Sequence, residues 1–577
     1  MLKWTAKVPL SSRIIDPLGI YVLKHLETYY LPGITTQTDR LRYFTLLTWA
    51  WKAVAEKRIK SSQVFIIEKI ATLAAGLHHS SDTSPPNAIR NRESAIDFLR
   101  MSNEPINVDE YKKYGRNNKI GYGNYYYRGP LVTLQICAKN TAGKYVFSKA
   151  GEQIASLFDK IVGKNSSIFL KKELSKKDLL KLESICFCTE KIPVIEQQIW
   201  RLVFFGFTLP TSGFGLTFNA EEYRRFEECH LDFPSISPHA KYSLDDYLKN
   251  PDKIDSVLDN NIPEKIKKNI ARRSLLFLAM QIINDSNPRR DGEPFDQIMR
   301  DCLYFHQFLN GSIITKIDFG PLTKYVGSWE TYVHNLYYIN FLELFFFLLL
   351  KSVKLHPFGT NIAEISKFFD TEKIAKFLSA NFKTSLSPAS SLEEIELCLK
   401  KLLGKKKTSL TTALNEKLVA FKARDSLVPE ERIANLVLLF LLLKNRFKSF
   451  SQIQQKSCGF QEELLFSIVP KKVYGTLSKG NVTTFINSIL TLVKNRHKLI
   501  ASKKFAINGT KAWLFTEEDD RLFYYGRDWV TSYRQNFYRE AKWNNVRNLL
   551  VDMGLVETKQ RRDCLTQVGR LWLKRIF

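Results

Sequence analysis

The sequence predicts a mainly α, multi-domain helical scaffold carrying two small α+β units, one in the N-terminal third and one at the C-terminus. Three observations support that reading. First, residues 160 to 400 have almost wholly helical periodicity, broken at Pro193, Pro210 to Gly213, Pro234 to Pro238, Pro288, Pro294 and Pro357 to Gly359. Second, near the C-terminus, Val546 to Met553 end an amphipathic helix at Gly554, and Leu555-Val556-Glu557 continue as a strand. A basic stretch Lys559-Gln560-Arg561-Arg562 follows, then a return strand at Cys564-Leu565 and a last apolar-periodic helix capped by Thr566. Third, Ser148-Lys149-Ala150-Gly151 repeats the cap-and-glycine offset of Thr566-Gln567-Val568-Gly569. It too is preceded by a strand, Tyr145-Val146-Phe147, and a loop after Ile136-Cys137.

The elements before the first α+β unit read as helices separated by turns. Ile20 to Tyr30 is periodic and stops at Leu31-Pro32-Gly33, and the next helix carries Leu41, Phe44, Leu47 and Trp51 on one face. Another apolar helix runs from about Ser62 to Leu77, His78 to Asn87 is a polar loop, and Arg90 to Arg100 resumes the period. A basic, tyrosine-rich stretch follows, with Lys112, Lys113, Arg116 and Arg128 among Tyr111, Tyr114, Tyr122 and Tyr125 to Tyr127. Such a mixture either stacks on bases while holding phosphates or packs its rings on the core and leaves its charges solvated. After the central helical stretch, Leu402 to Ser409 is a basic linker, a second helical block runs to Asn495, and Leu499 to Lys511 is polar and basic. The expected domains are therefore 1–160, 161–400, 408–495 and 496–577. No repeat of fixed period is evident.

The chain has 577 residues, long for one core, and its 44% hydrophobic and 25% charged composition is that of a folded protein. Lys and Arg number 86 against 58 acidic residues, a net charge of +28 that far exceeds what solubility requires and draws polyanions or anionic membranes. The most apolar runs, Phe341 to Leu350 and Leu436 to Leu443, are shorter than the roughly eighteen residues that span a bilayer, so they read as buried helices and no membrane partner is expected. The start of the sequence lacks the apolar core of a signal peptide, and eight scattered cysteines fit a reducing compartment, so a cytoplasmic location is expected. Cys186-x-Cys188 and Cys229-His230 are the nearest approach to a metal motif. C-x-C is shorter than the usual spacer of about two to four residues, and neither metal nor cofactor is expected.

Catalytic signatures are scarce. Gly404-Lys405 lacks both the glycine and the hydroxyl residue of a phosphate loop, no histidine has an arginine three residues on, and neither G-x-S-x-G nor H-E-x-x-H occurs. One pattern survives. Arg300 and His306, and likewise Arg225 and His230, resemble the arginine and histidine that HEPN-type ribonucleases project from one helix.

Helix, strand, basic loop, strand, helix resembles the wing half of the winged-helix superfamily, and the two units cover about a quarter of the chain. The resemblance implies a recognition helix immediately before the wing, whose polar face is Lys542, Asn544, Asn545, Arg547 and Asn548, residue types that pair with adenine and guanine edges. Lys559, Arg561 and Arg562 would then lie on the wing, with Arg527 and Arg534 nearby. The run from Leu31 to Phe44 is similar to large uncharacterised bacterial proteins found with anti-phage and restriction systems. The expected function is non-enzymatic binding of duplex DNA within a bacterial defence or DNA-processing complex that includes other proteins. The alternatives are a HEPN-like ribonuclease effector and an adaptor for acidic protein partners.

Overall fold

The face carrying Leu41, Phe44 and Leu47 folds as helix α1 (Leu41–Ala55), and all three side chains are fully buried. A computed structural model describes residues 31–34, 39–82, 91–111, 122–206, 264–288, 295–310, 313–401, 429–447, 480–508, 513–525 and 543–574. The structure is mainly helical, and its described strands form only two-stranded antiparallel sheets in the cases whose register is defined. The chain forms two compact units, one made of Glu27–Cys302, Thr315–Val326 and Glu540–Phe577, the other of Met1–Leu26, Leu303–Ile314 and Gly327–Arg539. The residues expected to form a C-terminal domain are thus shared between the units, because the last helix–hairpin–helix packs on helices hundreds of residues earlier.

In the first unit α1 is followed by α2 (Gln63–His78), α3 (Arg92–Met101), β1 (Ile106–Asn107) and α4 (Tyr122–Thr133). Then come β2 (Cys137–Lys139), β3 (Tyr145–Phe147), α5 (Lys149–Val162), β4 (Glu173–Leu174), α6 (Lys176–Leu180), α7 (Val194–Phe204), α8 (Glu264–Ser286) and most of α9 (Phe295–Phe305). The tyrosine-rich stretch before the first hairpin is thus partly helical. Tyr127 is fully buried, donates to Asp39 Oδ1 at 3.1 Å and accepts from the Asp39 amide at 3.1 Å, so this ring packs on the core.

The second unit includes most of α10 (Thr323–Lys354), whose segment Phe341 to Leu350 is buried on all sides, as the sequence predicts. It also holds α11 (Ile362–Lys367), α12 (Thr371–Phe382), α13 (Pro429–Phe447), α14 (Val482–Asn508) and the hairpin β5 (Phe515–Glu518) and β6 (Arg521–Tyr524). Among the described residues, no helix is long and apolar enough to cross a membrane.

The chain returns to the first unit as α15 (Trp543–Asp552), β7 (Val556–Lys559), β8 (Arg562–Leu565) and α16 (Gln567–Lys574). Here the correspondence suggested by the sequence becomes geometric. At the end of α15, Gly554 has φ 71°, its amide donates to Val551 O and the Leu555 amide to Leu550 O, which satisfies the last carbonyls of the helix. At the end of α4, Gln135 has φ 62°, its amide donates to Val132 O and the Ile136 amide to Leu131 O.

After each hairpin the chain closes on the same carbonyl. Thr566 N donates to Leu555 O and Ser148 N to Ile136 O, both at 3.0 Å. The Thr566 hydroxyl accepts from Gly569 N at 3.0 Å and the Ser148 hydroxyl from Gly151 N at 3.2 Å, each capping the helix that follows. Both glycines are obligatory for one reason. A Cβ on Gly569 would lie 2.1 Å from Leu555 O, and one on Gly151 would lie 2.4 Å from Ile136 O.

Gly569→Ala and Gly151→Ala should each destabilise the protein by about 1–3 kcal/mol, since backbone must shift to admit the methyl. Gly129→Ala, whose methyl meets nothing within 4 Å, should leave the denaturation midpoint unchanged or raise it. Urea unfolding of the three variants beside the parent checks this.

Candidate functional site

The expected recognition helix is α15, and its polar face is turned to other uses. No residue from Trp543 to Asp552 is exposed. The Asn544 amide and side chain both donate to the buried Asp296 carboxylate, at 2.9 and 2.8 Å, so this residue anchors the start of α15 to α9. The Arg547 guanidinium grips Asp563 of β8 through Nε and, at 2.6 Å, through Nη2, and it also reaches Asn548 Oδ1 at 3.2 Å. Asp563 further accepts from Thr558 Oγ1 at 2.9 Å, and its amide donates to Pro288 O. A polar helix face that looked like a base-reading surface is a clamp between α15, the hairpin and the end of α8. Asn545 sits half-buried on the same helix. Lys542, Arg527, Arg534, Lys112, Lys113 and Arg116 lie outside the described residues; Arg128 belongs to α4.

The turn of the C-terminal hairpin is tighter than a loop. Lys559 pairs with Arg562 across β7 and β8, leaving Gln560 and Arg561 as a two-residue turn with φ 49° and 60°. Two successive positive φ values mark the mirror-type turn whose twist matches a hairpin, normally filled by Asn-Gly or Gly-Gly. Gln and Arg adopt it at a cost of roughly 1 kcal/mol or more each. Lys559, Gln560, Arg561 and Arg562 are all exposed at this tip, as are Arg570 and Lys574 on α16. Lys559 Nζ lies 2.7 Å from Glu557, which holds its ammonium above the ordinary lysine value. At the first hairpin Lys139 and Lys144 are exposed on either side of the Asn140 to Gly143 turn.

Buried charge joins the C-terminal helix–hairpin–helix element to the start of α1. The Asp552 carboxylate, fully buried at the end of α15, accepts from the Leu41 amide at 2.9 Å, from Thr189 Oγ1 at 2.6 Å, and pairs with Arg40 at 3.2 Å. Helix α1 has no cap from its own Arg40 position, so Asp552 serves its positive N-terminal end from across the fold. Burial pushes the Asp552 carboxyl up, while Arg40, Thr189 and the Leu41 amide pull it down. Two residues after Arg40, Arg42 pairs with buried Glu196 at 3.0 Å and donates to Ser184 O and Lys191 O.

The segment that receives these arginines carries the third group of residues. His78 ends α2 and His79 follows it; Cys186 and Cys188 flank Phe187, which stacks on Tyr43 with centroids 3.9 Å apart. Among the described residues, His78, His79, Cys186 and Cys188 form a group whose ligand atoms all lie within 4.8 Å of one another. His79 Nε2 is 3.2 Å from Cys186 Sγ, and His78 Nδ1 is 4.0 Å from Cys188 Sγ. The opposite ring nitrogens face carboxylates, His79 Nδ1 at 2.5 Å from Asp82 and His78 Nε2 at 3.4 Å from Glu183. Hydrogen bonding from Cys188 first, then from the two histidines, holds the Cys186 thiol well below its ordinary value, while Cys188 is pushed up by the same shared proton and by burial. The His79 imidazole is raised, chiefly by Cys186.

Cys229-His230, the partners considered for Cys186 and Cys188, lie outside the described residues, and so does the Arg225 pair. The signal that sequence reasoning passed over was the adjacent His78-His79 at a helix end. The Arg300 and His306 pairing does not keep its geometry. Arg300 is buried with Nε donating to Asp296 O, whereas His306 falls beyond the end of α9 at φ 56° and faces Glu330 at 3.5 Å. A shared helix face is what the HEPN arrangement requires, and the helix stops one residue short of supplying it. No family model, characterised protein or solved structure matches this chain.

Because Arg547 and Asp563 are each other's partners, Asp563→Ala should destabilise the protein by about 3 kcal/mol, leaving a half-buried guanidinium uncompensated. Arg547→Met, which keeps the stem and removes the charge, should restore part of that loss in the double variant. Thermal melts of the single and double variants measure both.

Proposed function

We propose that the chain binds duplex DNA electrostatically, with two winged-helix-like elements presenting basic hairpins and with hairpin tips, not a recognition helix, as the contact. The observation that carries the reading is the C-terminal tip, where four consecutive long polar residues, three of them cationic, are exposed on a turn that two non-glycine residues occupy at positive φ. Strain of that kind persists where side chains at the apex have a use. The +28 net charge supplies a long-range attraction for a polyanion, and Arg570 and Lys574 extend the cationic surface along α16. Since Asn544 and Arg547 are engaged within the fold, contacts fall on phosphates and base-edge readout is slight. The reading places the protein in the cytoplasm as a binding component of a multi-protein defence or DNA-processing complex, in keeping with the resemblance of its Leu31 to Phe44 run.

Fluorescence anisotropy on a labelled duplex across a salt series tests this, with single-stranded DNA and RNA in parallel. The parent should lose affinity steeply as salt rises, and Arg561→Glu/Arg562→Glu should flatten the log–log slope by about 2, near 0.9 for each phosphate that is no longer neutralised. Gln560→Asn/Arg561→Gly relaxes the turn, so it should raise thermal stability while weakening binding. Salt-independent binding, or an unchanged affinity in the charge-reversed variant, would refute the proposal.

A further inference from the structure

We propose that His78 Nδ1, His79 Nε2, Cys186 Sγ and Cys188 Sγ form a structural zinc site that pins the segment Glu183–Lys191 against the end of α2. Four donors of this mixed type are a complete tetrahedral set for zinc, with no position left for water, which marks a structural and not a catalytic centre. Zinc bonds of about 2.3 Å to sulfur and 2.0–2.1 Å to nitrogen put tetrahedral ligands about 3.3–3.8 Å apart. The present separations, 3.2 Å for His79 and Cys186, 4.0 Å for His78 and Cys188, and at most 4.8 Å for any pair, require rotamer adjustments of under about 1 Å.

Orientation argues for the same conclusion. Each histidine turns one nitrogen to the sulfurs and the other to a carboxylate, His79 to Asp82 and His78 to Glu183, the outer contact that fixes the tautomer of a zinc-bound imidazole. Chance packing of two adjacent histidines has no reason to orient both rings this way. Three of the four residues are buried and both cysteines are free thiols, so the donors are shielded from solvent and not committed to a disulfide. Binding Zn2+ displaces two thiol protons to solvent, each sulfur giving an electron pair to the metal; with neutral imidazoles the centre carries no net charge, which suits a buried site.

The ion would have a mechanical role. Between Cys186 and Cys188, Phe187 O accepts from Arg40 Nε at 3.0 Å, and the next residue, Thr189, bonds both Arg40 and Asp552. Zinc at the cysteines therefore fixes the acceptors on which the junction of α1 and α15 is built.

The test uses the full chain purified under reducing conditions. Elemental analysis should find about one zinc per chain. Stripping with a chelator should lower the melting temperature by several degrees, and adding back zinc should restore it. Cobalt titrated into the stripped parent should give visible d–d bands of a tetrahedral ion and near-ultraviolet sulfur-to-cobalt absorption, saturating at about one equivalent. Cys186→Ser and Cys188→Ser should each lose most of that sulfur band, and Cys564→Ser should keep it. Because the parent alone supplies the cobalt spectrum, a variant that fails to fold does not decide the matter. A stripped parent that melts as before and takes up no cobalt, or a Cys186–Cys188 disulfide found under reducing conditions, would overturn the proposal.

Discussion

The structure of the first unit turns on one carboxylate. Asp552 stands at the C-terminal end of α15, where the end of a helix ordinarily disfavours negative charge, and it is tolerated there because the N-terminus of α1 and Arg40 meet it. Removing either partner leaves a buried charge without compensation, a loss on the order of 3–5 kcal/mol. The contact joins residues 511 apart in sequence, so it is also what makes the last 38 residues part of the same body as the first helices.

The complementary device, cations serving carbonyls, stands at the C-terminal end of α7. Arg272 donates to Phe204 O at 2.6 Å, Val203 O at 3.3 Å and Pro32 O at 3.2 Å, and Arg273 Nε to Phe205 O, so two buried guanidiniums satisfy the orphan carbonyls of a helix C-terminus. Burial pulls both down to about 9, and they remain cations at neutral pH. Part of the +28 charge is therefore internal and serves helix ends; Arg40, Arg42, Arg272 and Arg273 are all buried. Lys559, Arg561 and Arg562 at the C-terminal hairpin, by contrast, are exposed. The Arg201 guanidinium adds to the junction by donating to Met553 O at 2.6 Å, one residue past Asp552.

Legibility in the sequence followed the range of the interaction. Thr566 with Gly569 and Ser148 with Gly151 were readable because cap, turn and glycine act within a few residues, and a glycine that must approach a carbonyl leaves a fixed offset behind it. The buried run Phe341 to Leu350 was readable from hydrophobicity alone. Arg547 was not, because a cation on an amphipathic helix looks the same whether it meets phosphate or Asp563. His78 and His79 fell in a stretch read as polar loop, and their partners lie more than a hundred residues on, at a C-x-C spacing that no local rule singles out. Composition marks linkers, whereas Asp552 and Arg40, far apart in sequence, bring their segments together without a local signal.

Hydrogen exchange of the full chain, parent against Asp552→Ala, tests most directly whether that carboxylate holds the two ends as one unit. Peptides covering Leu41 to Thr45 and Trp543 to Asp552 should lose protection together in the variant, with the Phe187 to Lys191 segment following. Loss of protection confined to Trp543 to Asp552, with the first turn of α1 exchanging as in the parent, would contradict it.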